Sequence, residues 1–558
     1  MFNLAHIHEA IAARVPEREC LVFRDRRFRW RETTDRTRRL ADVLTAHGLG
    51  TYGDRSDLAN WESGQDHVAL YLYNGNEYLE GMLGAFKARC APLNVNYRYV
   101  EEELLYLFGN SRAKAIVYHA EFAPLLEGLR ASLPEVRLWL QVADESGNAL
   151  LPGALDYEAA LAAATPRLPV ELEADDLYIL YTGGTTGMPK GVLWRQEDIF
   201  RAALYGRDLP KTVEELAQRA VDREPPFRCL PMPPFMHGAA HWAAFNLWHF
   251  GAAVIVQSKP RALDPKDIWS TIERERVTAT TIVGDAFARP LLDELEAGSY
   301  DLSSLRLLTS GGAIFSPELK REFLERLPQL RILDNLGSSE SGFQAQQSVS
   351  AQTGVGTGRF ALSEDNVVLA EDLSGVLDPG HAGTGWLAKS GIAPLGYLDD
   401  PEKTGRTFPV VGGIRYSVPG DRARHEADGS LSLLGRDSVT INSGGEKIFA
   451  EEVEQAIKHH PGVYDALVVG VPSPRWGQQV TAIIRLREGQ VEDDAGLREV
   501  ANEHVASYKL PKAFVYVPSI ERAPSGKPDY AWGRAVAEAA LFPDADGAAA
   551  VSSPPGAS

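Results

Sequence analysis

Tyr181-Thr182-Gly183-Gly184-Thr185-Thr186-Gly187-Met188-Pro189-Lys190-Gly191-Val192 is the stretch of this chain best equipped to hold an anion. Its glycines let the backbone approach a phosphate closely and turn N–H groups toward it. Its threonines add hydroxyl donors, and Lys190 adds a mobile positive charge. It is not a Walker loop, which needs Gly-Lys followed by Ser or Thr; Lys190 stands between Pro189 and Gly191. Other chemistry-bearing residues sit in turn-rich surroundings further along: His237 in Pro231–Gly238, Glu340 in Arg331–Gly342, Asp421 after Pro419-Gly420, and Lys527 in Ala523-Pro524-Ser525-Gly526-Lys527. Magnesium takes few protein carboxylates and fills its shell with phosphate oxygens and water, so one glutamate near a phosphate loop suffices for it. A carboxylate such as Asp421 can accept from both hydroxyls of a ribose. Together these groups point to nucleotide chemistry. An esterase reading fails, because Gly337-Ser338-Ser339-Glu340-Ser341 lacks the closing glycine of a nucleophile elbow.

The elements that must carry these residues alternate between strand and helix. Leu177–Leu180 reads as a buried strand leading into the glycine-threonine loop. Leu21–Phe23 and Phe28–Trp30 flank a polar turn and read as a hairpin. Helical spacing covers 9–13, 34–46 and 77–87, while 49–66 reads as a surface loop. Val68–Tyr73, Ala115–Tyr118, Leu138–Val142, Ala253–Val256 and Thr280–Val283 read as strands. Leu305–Thr309 is strand-like and leads to Ser310-Gly311-Gly312-Ala313. Ser316 is the expected N-cap of a helix that starts with Pro317 and runs to Leu327. The charged stretch Lys211–Arg223 reads as a solvated surface helix. Near the C-terminus, Ala450–His459 is helical with glutamates at its start, as the helix dipole favours, and 467–472, 480–484 and 514–517 are strands. The expected fold class is α/β, a large N-terminal domain of layered α/β sheets plus a small, mobile α+β C-terminal domain.

The bulk numbers bound the rest. The chain has 558 residues, 44% hydrophobic and 24% charged, enough for two or more domains. Its net charge of −19 argues against general nucleic-acid binding, while leaving room for a local basic site. Cys20, Cys90 and Cys229 lie far apart, which suits a reducing cytoplasm and gives neither a disulfide framework nor a zinc site. No signal-peptide pattern and no run of about 18 apolar residues is present, so no transmembrane segment is expected.

Tyr-Thr-Gly-Gly-Thr-Thr-Gly-x-Pro-Lys-Gly-Val resembles the phosphate-loop signature of the adenylate-forming enzymes, which include acyl-CoA synthetases, luciferases and adenylation domains. The later motifs follow in the order this superfamily uses, over nearly the whole chain. By that resemblance, Thr182, Gly183, Gly184, Thr185, Thr186, Gly187 and Lys190 bind the ATP phosphates. Gly311, Gly312 and Ala313 line the adenine pocket, and Asn335, Gly337 and Ser339 belong to the same nucleotide site. Glu340 helps hold Mg²⁺, and His237 borders the acyl and phosphate site. Asp421 takes the ribose and Arg436 contacts ribose and phosphate. Asp437 and Ser438 form the hinge, Ser443, Gly444 and Gly445 line the CoA side, and Lys527 is the catalytic lysine. Leu336 stands where many relatives have a ring-stacking tyrosine, Pro419 replaces a threonine, and Ser438 occupies a hinge position often held by Asp or Lys.

The resemblance implies domains at 1–435 (ATP and acyl site) and 436–540 (catalytic lysine and CoA-side loop), with a disordered tail at 541–558. The implied activity is ATP-dependent acyl-CoA synthesis: a carboxylate attacks the α-phosphorus of ATP, pyrophosphate leaves, and the CoA thiol then displaces AMP. Co-substrates and cofactors are ATP, Mg²⁺ and coenzyme A. Val192–Ile199, Ile441–Lys447 and Gly526–Tyr530 resemble actinobacterial fatty-acyl and steroid side-chain ligases, which implies a medium- or long-chain fatty acid or a steroid acid. Loading of a carrier protein, a non-catalytic nucleotide-binding role and a luciferase-like oxygenase are the alternatives; a homodimer is a further open reading.

Overall fold

The computed structural model describes residues 1–168, 170–184, 187–206, 208–353, 360–361, 365–443 and 446–542. The expectations placed on Thr185, Thr186, Gly444, Gly445 and 543–558 lie outside the described residues. The chain divides into two compact units. The first comprises Met1–Pro419, Ala423–Ser432 and Pro524–Lys527; the second comprises Gly420–Arg422, Leu433–Ala523 and the chain from Pro528 onward.

Two eight-stranded sheets organise the first unit. One runs Gly342–Ser350, Arg331–Ser338, Leu307–Gly311, Ala279–Ile282, Arg228–Pro231, Ala253–Val256, Glu19–Phe23, Arg26–Arg29. The other runs Gly396–Tyr397, Gly187–Arg195, Leu177–Gly184, Ala91–Asn94, His67–Tyr71, Ala115–His119, Leu138–Val142, Leu155–Asp156. The inner pairings are parallel; antiparallel hairpins close both edges of the first sheet, while the second ends on one side in the antiparallel strands Leu177–Gly184, Gly187–Arg195 and Gly396–Tyr397 and on the other in the parallel Leu155–Asp156. Sequence explains that division. Every residue of His67–Tyr71, Ala115–His119 and Leu138–Val142 is buried, as expected of parallel strands covered by helices on both faces. The helices Leu4–Arg14, Trp30–Ala46, Asn76–Lys87 and Gly238–Trp248 contribute Ile7, Ile11, Leu40, Leu44, Leu83, Phe86 and Phe245 to one core. Each such side chain stabilises the fold by roughly 1.5–3 kcal/mol on burial. Asn3 starts the first helix by accepting from the backbone N–H groups of Ala5 and His6.

Several local expectations change. The glycine-threonine stretch is not a loop along its length: Leu177–Gly184 and Gly187–Arg195 form one antiparallel hairpin, with Thr182 opposite Lys190. Trp30 does not end a strand. It opens the helix Trp30–Ala46, because its fully buried indole packs between that helix and the core. The charged segment forms the helix Val213–Asp222, but it is not simply solvated. Val213, Leu216, Ala217 and Ala220 form an apolar stripe buried in the core, which the charged neighbours obscured in the sequence. The strand expected at Leu305–Thr309 spans Leu307–Gly311. Ser316 occupies the N-cap position of Pro317–Arg326 without a side-chain capping bond; its own backbone N–H donates to Asp285.

In the second unit, the strands Glu446–Phe449, Thr440–Ser443, Gly477–Leu486 and Val463–Ser473 pair in that order, and Ala513–Tyr516 adds in parallel to Gly477–Leu486. Ile441, Ile448, Val453, Ile457, Val468 and Ile484 form its core. The helix Tyr530–Leu541 carries the described chain to the start of the expected tail.

Candidate active site

The hairpin Leu177–Arg195 positions Lys190, and its glycines have steric reasons. A Cβ on Gly191 would stand 2.9 Å from the Tyr181 ring and 3.1 Å from Ile179. Tyr181 is buried, with its hydroxyl donating to Asn110 over 2.7 Å. Gly191 thus keeps the returning strand close enough to pair, and that pairing sets the register of Lys190.

A third strand joins this hairpin. Gly396 pairs with Leu193 and Tyr397 with Val192, antiparallel. This brings Asp400 and Lys403, in the following turn and helix Pro401–Thr407, beside Lys190. Lys190 Nζ lies 3.9 Å from Asp400 Oδ2. Asp400 Oδ1 accepts from the Lys403 backbone N–H over 2.9 Å, capping that helix.

Glu340 stands in a tight turn between Arg331–Ser338 and Gly342–Ser350. Gly342 takes φ +66°, and Gly337 lies so close to the Gly342 carbonyl that a Cβ would overlap it. The Glu340 side chain is oriented by Tyr397, whose hydroxyl donates to Oε1 over 2.8 Å. Its carbonyl accepts from Ser417 Oγ over 2.6 Å, and the Ser339 carbonyl accepts from the Trp194 indole over 2.9 Å. Asn335 pairs with Gly311 across parallel strands, and its side-chain oxygen accepts from Gln346 over 2.7 Å. Gly312 takes φ +87° immediately before Ala313.

His237 precedes the helix Gly238–Trp248. Its Nε2 is buried with no hydrogen-bond partner among the described residues. Burial, followed by the charges of Lys527, His241 and Arg98, pushes its pKa down to about 3, so the imidazole is neutral. An unpaired buried nitrogen calls for a partner that the protein does not supply. Next to it, Ala239 and Ala243 are half-buried small residues on the same helix, and a Cβ on Gly238 would meet Leu180 and Trp242. In the turn Pro524–Lys527, also of the first unit, Gly526 takes φ +78° against Phe287 and Ala286. Lys527 Cε lies 3.9 Å from the position of a Cβ on Gly312.

In the second unit, Arg436 Nε lies 3.3 Å from Asp421 Oδ1. Asp437 and Ser438 form a 3₁₀ turn with Val439. Ser443 is buried and pairs with Glu446 and Gly477.

The structure therefore gathers Lys190 and Glu340 through Tyr397, Asp400 and Lys403. Lys527, Gly312 and His237 form a second group in the first unit, and Asp421 with Arg436 a third in the second unit. Sequence reading missed Tyr397, Asp400, Lys403, Trp194 and Ser417. Asp400-Pro401 was a legible helix start, but nothing local tied it to Lys190. Among the described residues there is no cluster of three metal-ligating side chains, and no helix is long and apolar enough to cross a membrane.

Comparison with known proteins agrees with this architecture. Residues 8–398 match the family model described as AMP-binding enzyme, and 452–527 match the AMP-binding enzyme C-terminal domain. The chain belongs to the AMP-binding enzyme family, as an acid–thiol ligase that makes acyl-CoA at the expense of ATP. It is 50% identical over 539 residues to a medium-chain acyl-CoA ligase of Mycobacterium avium, covering 96% of this chain and 98% of the relative. It is 40% identical over 545 residues to a 3-oxocholest-4-en-26-oate–CoA ligase of Rhodococcus rhodochrous, covering 95% of each chain. Among solved structures, it resembles anthranilate CoA ligase AuaEII in complex with anthranoyl-AMP, with TM-score 0.80, 22% identity, and 97% and 98% of the two chains covered. It also resembles ATP-bound MatB of Rhodopseudomonas palustris, with TM-score 0.78, 22% identity, and 96% and 99% covered. At these identities the two structures support the fold.

Proposed function

We propose that this enzyme activates a medium- or long-chain fatty acid, or a steroid side-chain acid of similar bulk, in the cytoplasm. The observation that carries the site assignment is the convergence of Lys190, Glu340, Tyr397 and Asp400 on the hairpin expected to hold phosphate. The substrate class is supported by the 50% identity to a medium-chain ligase and the 40% identity to a steroid-acid ligase.

In the first half-reaction, an acid oxygen forms a bond to the α-phosphorus of ATP while the bond to pyrophosphate breaks. Thr182–Lys190 hold the β- and γ-phosphates, and Lys190 orients the leaving group. Glu340, held by Tyr397, suits Mg²⁺, because that ion takes one or two carboxylates and completes its shell with phosphates and water. When bound, Mg²⁺ would neutralise charge on the phosphates. Gly311–Ala313, Asn335, Gly337 and Ser339 face the base, and Asp421 with Arg436 holds the ribose. Lys527 places its ammonium where charge develops on the carboxylate and α-phosphate oxygens. Neutral His237 offers Nε2 at the acyl side without adding charge. In the second half-reaction, the CoA sulfur attacks the acyl carbon, AMP leaves, and the thiol proton passes to solvent. Ser443–Gly445 serve that step, and Asp437-Ser438 is the hinge between the domains 1–435 and 436–540.

The test is CoA-thioester and AMP formation over acetate, decanoate, palmitate and a steroid carboxylate. The expected result is turnover of decanoate or larger acids far above acetate; preference for acetate overturns the substrate assignment.

A further inference from the structure

Lys403 is a charged residue beside the phosphate hairpin that the reaction outlined above does not use. Two contacts fix it. Its backbone N–H is bound by Asp400 Oδ1 over 2.9 Å. Its Nζ sits 4.4 Å from the centroid of the Tyr397 ring, a cation–π distance. Asp400, which caps its helix, also lies 3.9 Å from Lys190 Nζ, so the two lysines share one neighbourhood. The Tyr397 ring therefore carries two groups at once, Glu340 at its hydroxyl and the Lys403 ammonium over its face.

Two ammoniums side by side repel each other. Asp400 lies 3.9 Å from Lys190, and Glu340 is held at the hydroxyl of the same Tyr397 ring that Lys403 covers, so the carboxylates offset part of that repulsion. Partial burial and the neighbouring Lys190 push the Lys403 ammonium down to about 8, so its charge is held at a cost in the unliganded protein. A polyanion between the two lysines would reverse the sign of that interaction. Scaffold lysines are treated differently here: Lys87, fully buried, is answered directly by Glu9 and by Thr37 over 2.8 Å.

We infer that Lys403 is a second phosphate-binding lysine, which with Lys190 forms a two-pronged grip on the terminal phosphates of ATP and so on the pyrophosphate that leaves. This rests on the acyl-adenylate reading of the site. The ligand chemistry is a di- or triphosphate.

The test uses the full-length enzyme and the variants Lys403→Met, which keeps length and removes charge, and Lys403→Arg, which restores charge. ATP binding is measured directly without acid, and KM values for ATP and pyrophosphate come from decanoate-dependent pyrophosphate–ATP exchange. Losing one charge-assisted contact should weaken ATP binding and raise both KM values about 10-fold in Lys403→Met, with Lys403→Arg close to wild type. The KM for supplied decanoyl-AMP in thioester formation should stay at the wild-type value, which a merely structural role would not predict. Wild-type ATP and pyrophosphate constants in Lys403→Met overturn the inference, as does an equal rise in the KM for decanoyl-AMP. Absence of decanoate-dependent exchange in the wild type would instead count against the acyl-adenylate reading, and unchanged direct ATP binding in Lys403→Met would still decide against the grip.

Discussion

Two lysine clusters in the first unit show how the same residue type does opposite work. Lys87 has no exposed side-chain surface; Glu9 meets it, Thr37 accepts from it, and Arg38 completes the group on Glu9. Every charge there has its partner inside the protein, as burial requires. Lys190 and Lys403 stand half-exposed, next to each other, with Asp400 and Glu340 at the margin. The first cluster is complete without a ligand and holds the helices Leu4–Arg14, Trp30–Ala46 and Asn76–Lys87 together. The second is the one we propose an anion completes. Two neighbouring lysines without a buried carboxylate directly on each thus distinguish the proposed binding cluster from the structural one.

The comparison makes testable demands. Lys87→Met removes one of the two cations on buried Glu9 and leaves Arg38, so the cost should approach, from below, the about 3–5 kcal/mol of breaking a buried pair. Urea unfolding should show that loss, while the KM for ATP stays near wild type in whatever fraction remains folded. A large ATP effect with unchanged stability would erase the distinction between the clusters. Lys527→Ala should slow adenylate formation on the order of 10²–10³-fold, the scale of removing one preorganised charge donor. Single-turnover thioester formation from supplied acyl-AMP should be spared; equal loss in both half-reactions contradicts the assigned role. These two changes and Lys403→Met sort the lysines into scaffold, catalysis and leaving-group binding.

A separate effect is in pH. His67, His241 and His249 are buried and neutral, each with its pKa pushed down to about 4, chiefly by desolvation. Between about 6.5 and 4 the unfolded chain binds protons that the folded chain does not. Stability therefore falls as pH drops through that window, by up to about 1.4 kcal/mol per pH unit for each such histidine. The Lys190 and Lys403 cluster moves the other way. Lys403 is faced by Lys190, Asp400, Glu340 and Tyr397, and it loses its charge as pH rises through about 8. ATP affinity should then weaken above about pH 8 in wild type and weaken less in Lys403→Met. Parallel profiles for the two proteins would argue against Lys403 as a ligand.

Much of the candidate site lies in short motifs. Tyr181–Val192, Glu340, Asp421, Arg436 and Lys527 each announce themselves through immediate neighbours, and the alternation of apolar runs with helical spacing made the layered α/β class readable. The helix Val213–Asp222 was misread as solvated because its four buried side chains are spaced among charges, and only its packing reveals the stripe. The length of the phosphate hairpin was also missed. Glycine and threonine promote turns locally, but pairing with Leu177–Gly184 overrides that preference.

What the sequence determined alone is therefore the chemistry of individual positions and the family to which they belong. What only the tertiary structure decided is which of them act together. Tyr397, Asp400 and Lys403 lie more than two hundred residues from Lys190 along the chain, and they meet it because Gly396–Tyr397 pairs with Val192–Leu193. Strand pairing is set by backbone hydrogen bonds and by the burial of both faces, neither of which is written in the neighbours of any one residue. The same pairing that extends the sheet brings Asp400 and Lys403 to the glycine-threonine hairpin that carries Lys190.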